Sequence, residues 1–395
     1  MTRRLFTSRW LSAGATLVVA LPLACASEEP PSPSEPDGGE GGQADVVSGS
    51  GGRAQGAMPG AGAPGNAGDG GQQTQAGDGS DSEAGAAGAP TLPSTDPEML
   101  PTNGAVQQVH DPDAVKDGDT YYLFSTGTGI SVRTSPDLLN WKNAGSVFAS
   151  KPSWITTTNP ADPNLLWAPE VRYFGGQFHL YYAASKFGSK QSCIGHATRA
   201  SLGSGAWLDQ GEALFCSNLT GQNDDYNAID PSPFVDAEGK IWLAFGSFWG
   251  GLKLIRLDAD GRRDGPDFFS LATRPNTAVE APFLHYHGGF YYLFESVDSC
   301  CQGVNSTYKI MVGRSKSVTG PYLDRDGDAL ADGAGTLLLQ GAGRWRGPGH
   351  NAILVESGQT YNIYHSYDAE SSGAPTLRIA ELAWGDDGWP ISAGP

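Results

Sequence analysis

The sequence predicts an all-β chain whose main domain is a five-bladed β-propeller. Three observations predict it. A strand–turn–strand unit recurs five times, the recurrences are spaced like propeller blades, and no stretch of useful length follows the helical period. In each copy a short apolar strand reaches a glycine turn and is followed by an aromatic-rich strand. The copies run Ala114-Val115 to Tyr121-Tyr122-Leu123-Phe124, Val171-Arg172-Tyr173 to Phe178-His179-Leu180-Tyr181-Tyr182, and Pro233-Phe234-Val235 to Ile241-Trp242-Leu243-Ala244-Phe245. The last two run Pro282-Phe283-Leu284 to Phe290-Tyr291-Tyr292-Leu293-Phe294 and Ala352-Ile353-Leu354-Val355 to Tyr361-Asn362-Ile363-Tyr364. Their turn glycines, Gly118, Gly176, Gly239, Gly289 and Gly358, lie 58, 63, 50 and 69 residues apart. A third strand follows in most copies, for example Cys193-Ile194-Gly195-His196 and Ile310-Met311-Val312-Gly313. A repeat of that size with three or four strands is a blade. A pair of β-sandwiches is the alternative, but the equivalence of the repeats argues against it.

The propeller occupies residues 100–395, and two other segments precede it. In residues 1–25, Arg3, Arg4 and Arg9 stand before an apolar stretch from Leu11 to Leu23, the layout of an export signal. Thr2-Arg3-Arg4-Leu5-Phe6 resembles a twin-arginine signal. Leu21-Pro22-Leu23-Ala24-Cys25 resembles a lipoprotein processing site, although Pro22 departs from the usual pattern; cleavage after a small residue is the plainer alternative. Residues 26–99 hold 18 glycines, 12 acids against the single base Arg53, and no Phe, Tyr or Trp. Such a segment buries too little to offset chain entropy and reads as a disordered linker. Its reach is about 45–50 Å by flexible-chain scaling. The chain is therefore expected to be exported, either as a cell-surface or outer-membrane lipoprotein or as a secreted protein. Its only membrane contact would be a lipid anchor.

Charge excludes a further class. The chain carries 43 acidic and 25 basic residues, a net charge of −18, and would repel a phosphate backbone. Much of that acidity belongs to the linker. The informative acids are few, and they stand just before the first strand of each repeat: His110-Asp111-Pro112, Trp167-Ala168-Pro169-Glu170, Ile229-Asp230-Pro231, Val279-Glu280-Ala281-Pro282 and Gly349-His350-Asn351. The innermost strand of a blade lines the central channel, so four carboxylates and a histidine are expected to converge at one end of it. Clustered carboxylates cost stability, and a chain that gathers them is expected to use them. Glycoside hydrolysis needs one ionised and one protonated carboxyl. Any one Asp-Pro pair alone would read as a turn, and Glu170 reads as the structural member of the set.

These motifs, together with Gly246-Ser247-Phe248-Trp249-Gly250-Gly251, Cys300-Cys301, Ser306-Thr307-Tyr308-Lys309-Ile310 and Gly347-Pro348-Gly349-His350-Asn351, resemble the endo-α-1,5-L-arabinanases of glycoside hydrolase family 43. The resemblance covers about residues 105 to 390 and implies a five-bladed propeller that cleaves arabinan, a pectin side chain, with inversion. It implies Asp111 as general base, Glu280 as general acid, and Asp230 as the carboxylate that tunes and orients the acid. It implies His350 in a cation site within the pore, usually calcium, and no organic cofactor. Trp167, Asn227, Ser247, Phe248 and Trp249 fall in motifs that line the sugar groove. An inverting pair sets the Asp111 and Glu280 carboxyls about 6.5–9.5 Å apart. A monomer is expected. Two other readings stay open: an exo-acting arabinosidase or β-xylosidase on the same fold, and a non-catalytic propeller that binds polysaccharide. Of the cysteines left after Cys25, Cys193 and Cys216 flank an outer hairpin and are placed to pair, while Cys300-Cys301 is either a vicinal disulfide or two thiols.

Overall fold

The computed structural model describes residues 96–395 apart from 160–163, 220 and 276. The expected export signal, Cys25 and almost all of the linker lie outside the described residues. The rest is built of strands. One six-residue helix, Ser153–Thr158, and three single 3₁₀ turns are the only helical elements among the described residues.

The strands form five sheets, one per repeat, and in each the strand next to the channel is the first of its repeat. These inner strands are Asp113–Asp117, Leu165–Phe174, Ser232–Val235, Val279–His287 and Trp345–Glu356. They approach one another in a closed ring, each touching the next and the fifth touching the first. The hairpins between first and second strands turn where the sequence places its recurring glycines. Gly118, Gly176, Gly239, Gly289 and Gly358 all have φ between 60° and 84°, a region closed to most other residues.

Each blade is packed on both faces, which explains the unbroken apolar runs. Along Gln177–Ala184, Leu180 and Tyr182 join a cluster with Phe124 and Ile130 of blade one, while Tyr181 joins Leu243 and Phe245 of blade three. Successive strand side chains point to opposite faces, so a strand sandwiched between two neighbours needs apolar residues at every position. Five such clusters fill the five gaps between blades.

The ring is closed by the segment before blade one. Leu100 N–H donates to Ile379 O and Leu377 N–H to Val106 O, lacing residues 98–109 along the third strand of blade five, Ala374–Trp384. Asn103–Gly104 then pairs with the outer strand of blade one, Asn140–Ser146. Because Glu98 O accepts from Glu381 N and Met99 bridges Ala380, the folded unit starts slightly before residue 100. Cys193 and Cys216 face each other across two outer strands of blade two and are joined, as are Cys300 and Cys301.

Candidate active site

One backbone feature recurs at the start of every inner strand. Asp111, Ala168, Asp230, Ala281 and His350 have φ of 52°, 44°, 54°, 53° and 51°, left-handed values that cost a non-glycine residue about 1–2 kcal/mol. Strand pairing slips at the same place in three blades, between Trp167 and Glu170, Glu280 and Phe283, and Gly349 and Ala352. A bulge of this kind re-aims the side chains beside it. It also corrects the expectation that all the carboxylates occupy one equivalent position. Asp111, Asp230 and His350 do; Glu280 stands one residue earlier and Glu170 two residues later.

Asp111 sits where blade five meets blade one. Its Oδ1 lies 2.7 Å from His110 Nδ1 and 3.1 Å from His350 Nδ1. Thr126 Oγ1 donates to its Oδ2 at 2.5 Å and in turn accepts from Ala168 N. Asp111 N–H donates to His365 Nδ1 at 3.2 Å, which puts the proton of that imidazole on Nε2. Burial pushes the Asp111 carboxyl up, but His110, His350 and His365 outweigh it and hold the group well below the usual carboxylate range. His110 responds in kind. Burial disfavours its charged form, yet Asp111 and Glu280 raise it above the ordinary imidazole value. His350 and His365 are both lowered, burial being the largest cause.

Asp230 and Glu280 face each other where blade three meets blade four. Asp230 Oδ2 accepts from Ala281 N at 3.0 Å, so one blade's carboxylate caps the free edge of the next. Ser247 Oγ donates to Glu280 Oε2 at 2.8 Å, and the Tyr308 hydroxyl also bonds to Glu280. Burial raises both carboxyls; Asp230 is raised further by the charges of Glu280 and Asp111, and Glu280 by that of Asp111. The site thus holds one firmly ionised carboxylate and two that favour protonation.

Glu170 is not brought to this group. It pairs with Arg172 Nη2 at 2.9 Å, beside Asp113, which burial raises to about 6. Phe248 and Trp249 are 44% and 53% exposed, which makes them surface platforms rather than blade core. They follow Ser247 in the loop whose backbone bridges Glu280. Trp167 is half-buried. Asn227 is buried, and Ser192 Oγ donates to its Oδ1. His110 stood in the quoted motif without a role. Tyr308 likewise stood in a quoted motif without a role, and Thr126, His365 and Tyr367 carried no signal; His365 and Tyr367 reach the Asp111 end of the site from the fifth repeat.

A cation at His350 meets few suitable donors. The described residues whose geometry suits a metal are His110, Asp111 and His365, with ligand atoms all within 4.8 Å of one another. That set is rich in nitrogen, and its Nδ1 atoms already serve Asp111. Calcium seeks six to eight oxygens. These side chains alone do not fit it; water would have to supply most of its shell.

Comparison with known proteins places this geometry. The family described as glycosyl hydrolases family 43 matches residues 102–390. The extracellular endo-alpha-(1->5)-L-arabinanase 1 of Bacillus subtilis is 43% identical over 288 residues, 71% of this chain and 87% of that protein. The extracellular exo-alpha-(1->5)-L-arabinofuranosidase ArbA of Cellvibrio japonicus is 40% identical over 305 residues, 73% of this chain and 87% of that protein. Among solved structures, the Cellvibrio cellulosa alpha-L-arabinanase superposes with a TM-score of 0.69 at 41% identity, covering 72% of this chain and 95% of that one.

Proposed function

The chain belongs to glycosyl hydrolases family 43, and from that premise we propose that it cuts α-1,5-linked L-arabinan at internal bonds, with inversion. The observation that carries the reading is the split among the three carboxyls: Asp111 is held ionised by imidazoles while Glu280 and Asp230 are pushed toward protonation. Asp111, as general base, takes a proton from a water whose oxygen attacks the anomeric carbon. Glu280, as general acid, gives its proton to the departing glycosidic oxygen as that bond breaks. Asp230 shares the buried environment of Glu280 and orients it through the Ala281 N–H, while burial and the charge of Asp111 keep the acid's proton on. Ser247 and Tyr308 fix the orientation of the Glu280 carboxyl. Trp167, Phe248 and Trp249 offer apolar faces to sugar rings along the groove. A water-shelled calcium bound through His350 belongs to the same proposal, and no step is routed through it. Its removal by chelator should lower activity without unfolding the chain.

The product profile on linear arabinan tests the reading. Mixed oligosaccharides at early times support internal cleavage, and short products alone support exo action, the activity named for the Cellvibrio japonicus relative. Two relatives are named extracellular, and we extend export to this chain, acting as a monomer tethered at a lipidated Cys25. Loss of membrane association in Cys25→Ala tests the tether.

A further inference from the structure

We propose that Tyr367 is a positioning residue for Asp111, held by the backbone N–H of Cys301 in the Cys300–Cys301 turn and acting through His110. The inference rests on the reading of Asp111 as the base. A continuous set of contacts carries it. Cys301 N donates to Tyr367 Oη at 2.8 Å. Tyr367 Oη and His110 Nε2 share a hydrogen bond of 2.8 Å, and His110 Nδ1 lies 2.7 Å from Asp111 Oδ1. Both ring nitrogens of His110 are therefore engaged at opposite ends, and one face of the ring stacks on His365 at 4.0 Å. Turning the imidazole would break both bonds. Whatever fixes Tyr367 consequently fixes the carboxylate oxygen that His110 holds.

The anchor of Tyr367 is built to stay still. A bond between adjacent cysteines closes a small ring around the peptide that joins them, so the backbone at Cys301 has little freedom, and its φ is 65°. The loop around it is pinned at its neck, where Ser299 O accepts from Thr307 N and Tyr308 N at 3.0 and 3.1 Å. It is pressed against blade five, which carries Tyr367. A methyl group at Gly347 would come 2.5 Å from Ser306 Cβ, and one at Gly373 would come 2.7 Å from Val304 N. Tyr367 itself is 3% exposed yet belongs to none of the five apolar clusters between blades. Its hydroxyl is its distinctive contribution. The same loop ends at Tyr308, which bonds to Glu280. One disulfide-bearing loop of blade four thus reaches both carboxyls.

Steady-state kinetics of the full chain on linear α-1,5-arabino-oligosaccharides test this. Tyr367→Phe keeps the ring and removes the hydroxyl. Its kcat should fall about three- to tenfold, the effect of one lost net hydrogen bond, with KM changed by less than about twofold. Replacing both cysteines by Ser frees the turn and should lower kcat similarly in the parent. In the Tyr367→Phe background it should lower kcat by a smaller factor than in the parent, because the contact from Cys301 N–H to Tyr367 is already lost and only that of Cys301 Sγ with His110 Nε2, 3.7 Å apart, remains to be changed. Three results would overturn the proposal: kcat of Tyr367→Phe at the parent value, a loss confined to KM, or cysteine and tyrosine effects that multiply independently. Thermal unfolding of each variant is followed in parallel, and a kcat loss explained entirely by a lost folded fraction also overturns it. Asp111→Asn in the same series separates the two readings: near-parent turnover there would remove the base assignment itself, whatever Tyr367→Phe does.

Discussion

The seam between blades five and one and the seam between blades three and four each bury carboxylates at the start of an inner strand, and they treat them in opposite ways. At the first seam, Asp111 is met by three imidazoles and a threonine hydroxyl. At the second, Asp230 is met by Glu280 and a backbone N–H, and Glu280 by the hydroxyls of Ser247 and Tyr308. Burial pushes all three acids up. Neighbouring groups decide the rest, because the imidazoles of His110, His350 and His365 return Asp111 to its charged form, while the charge of Asp111 raises Glu280 and those of Glu280 and Asp111 raise Asp230. The repeated bulge delivers the side chains, and the non-repeated partners assign their roles.

The comparison breaks most visibly if the acids are removed singly. Asp111→Asn and Glu280→Gln should each reduce kcat on arabinan by about 10²–10⁴-fold, the usual contribution of a positioned acid or base. Steady-state assays check this, and a variant within tenfold of the parent would erase the contrast between the seams.

The contrast also has a pH signature. The proposed mechanism has Asp111 ionised and Glu280 protonated in the active form. With Asp111 lowered, the acidic limb of kcat/KM should fall below the ordinary carboxylate range. With Glu280 raised, the alkaline limb should lie above the ordinary value for glutamic acid. A profile of kcat/KM against pH that is narrow and centred on ordinary carboxylate values would contradict both shifts. Ser247→Ala sharpens the second seam alone. It removes one hydrogen bond to Glu280 and should cost about three- to tenfold in kcat.

A smaller effect concerns stability. Glu295 lies in the seam between blades three and four, fully buried, with neither carboxylate oxygen hydrogen-bonded among the described residues. Burial raises it to about 8, offset in part by Arg274. The folded state therefore holds a proton there that the unfolded chain releases near the ordinary value, so stability should decline as pH rises from about 4.5 to about 8. Glu295→Gln should flatten that decline and raise the melting temperature at pH 8 by roughly 2–4 °C for each kcal/mol recovered. Equal melting curves for parent and variant at pH 5 and pH 8 would show that Glu295 is not a buried acid.

Much of this was legible in the sequence. The five blades follow from apolar runs that leave no polar face, since each strand is sandwiched, and from glycines at turns with positive φ. Asp111, Asp230, Glu280 and His350 were visible because proline or asparagine beside them recurs with the repeat. Sequence counting alone could not place them in register. The bulge adds a residue in some blades, so Glu280 and Glu170 fall off the position shared by Asp111 and Asp230. His365, Tyr367, Thr126 and Tyr308 were hidden for a different reason. His365 and Tyr367 reach Asp111 and His110 from blade five, more than 250 residues away, while Thr126 and Tyr308 hold Asp111 and Glu280 within one blade but from beyond its first hairpin, and no local pattern records either.

The division of labour between the two seams is tested most directly by a substrate with an activated leaving group. An arabino-oligosaccharide bearing a weakly basic phenolate as aglycone needs no proton on departure. On that substrate Glu280→Gln should recover most of its turnover while Asp111→Asn stays inactive, because only the acid has become dispensable. Recovery by Asp111→Asn, or equal failure of both variants in their folded state, would contradict the assignment.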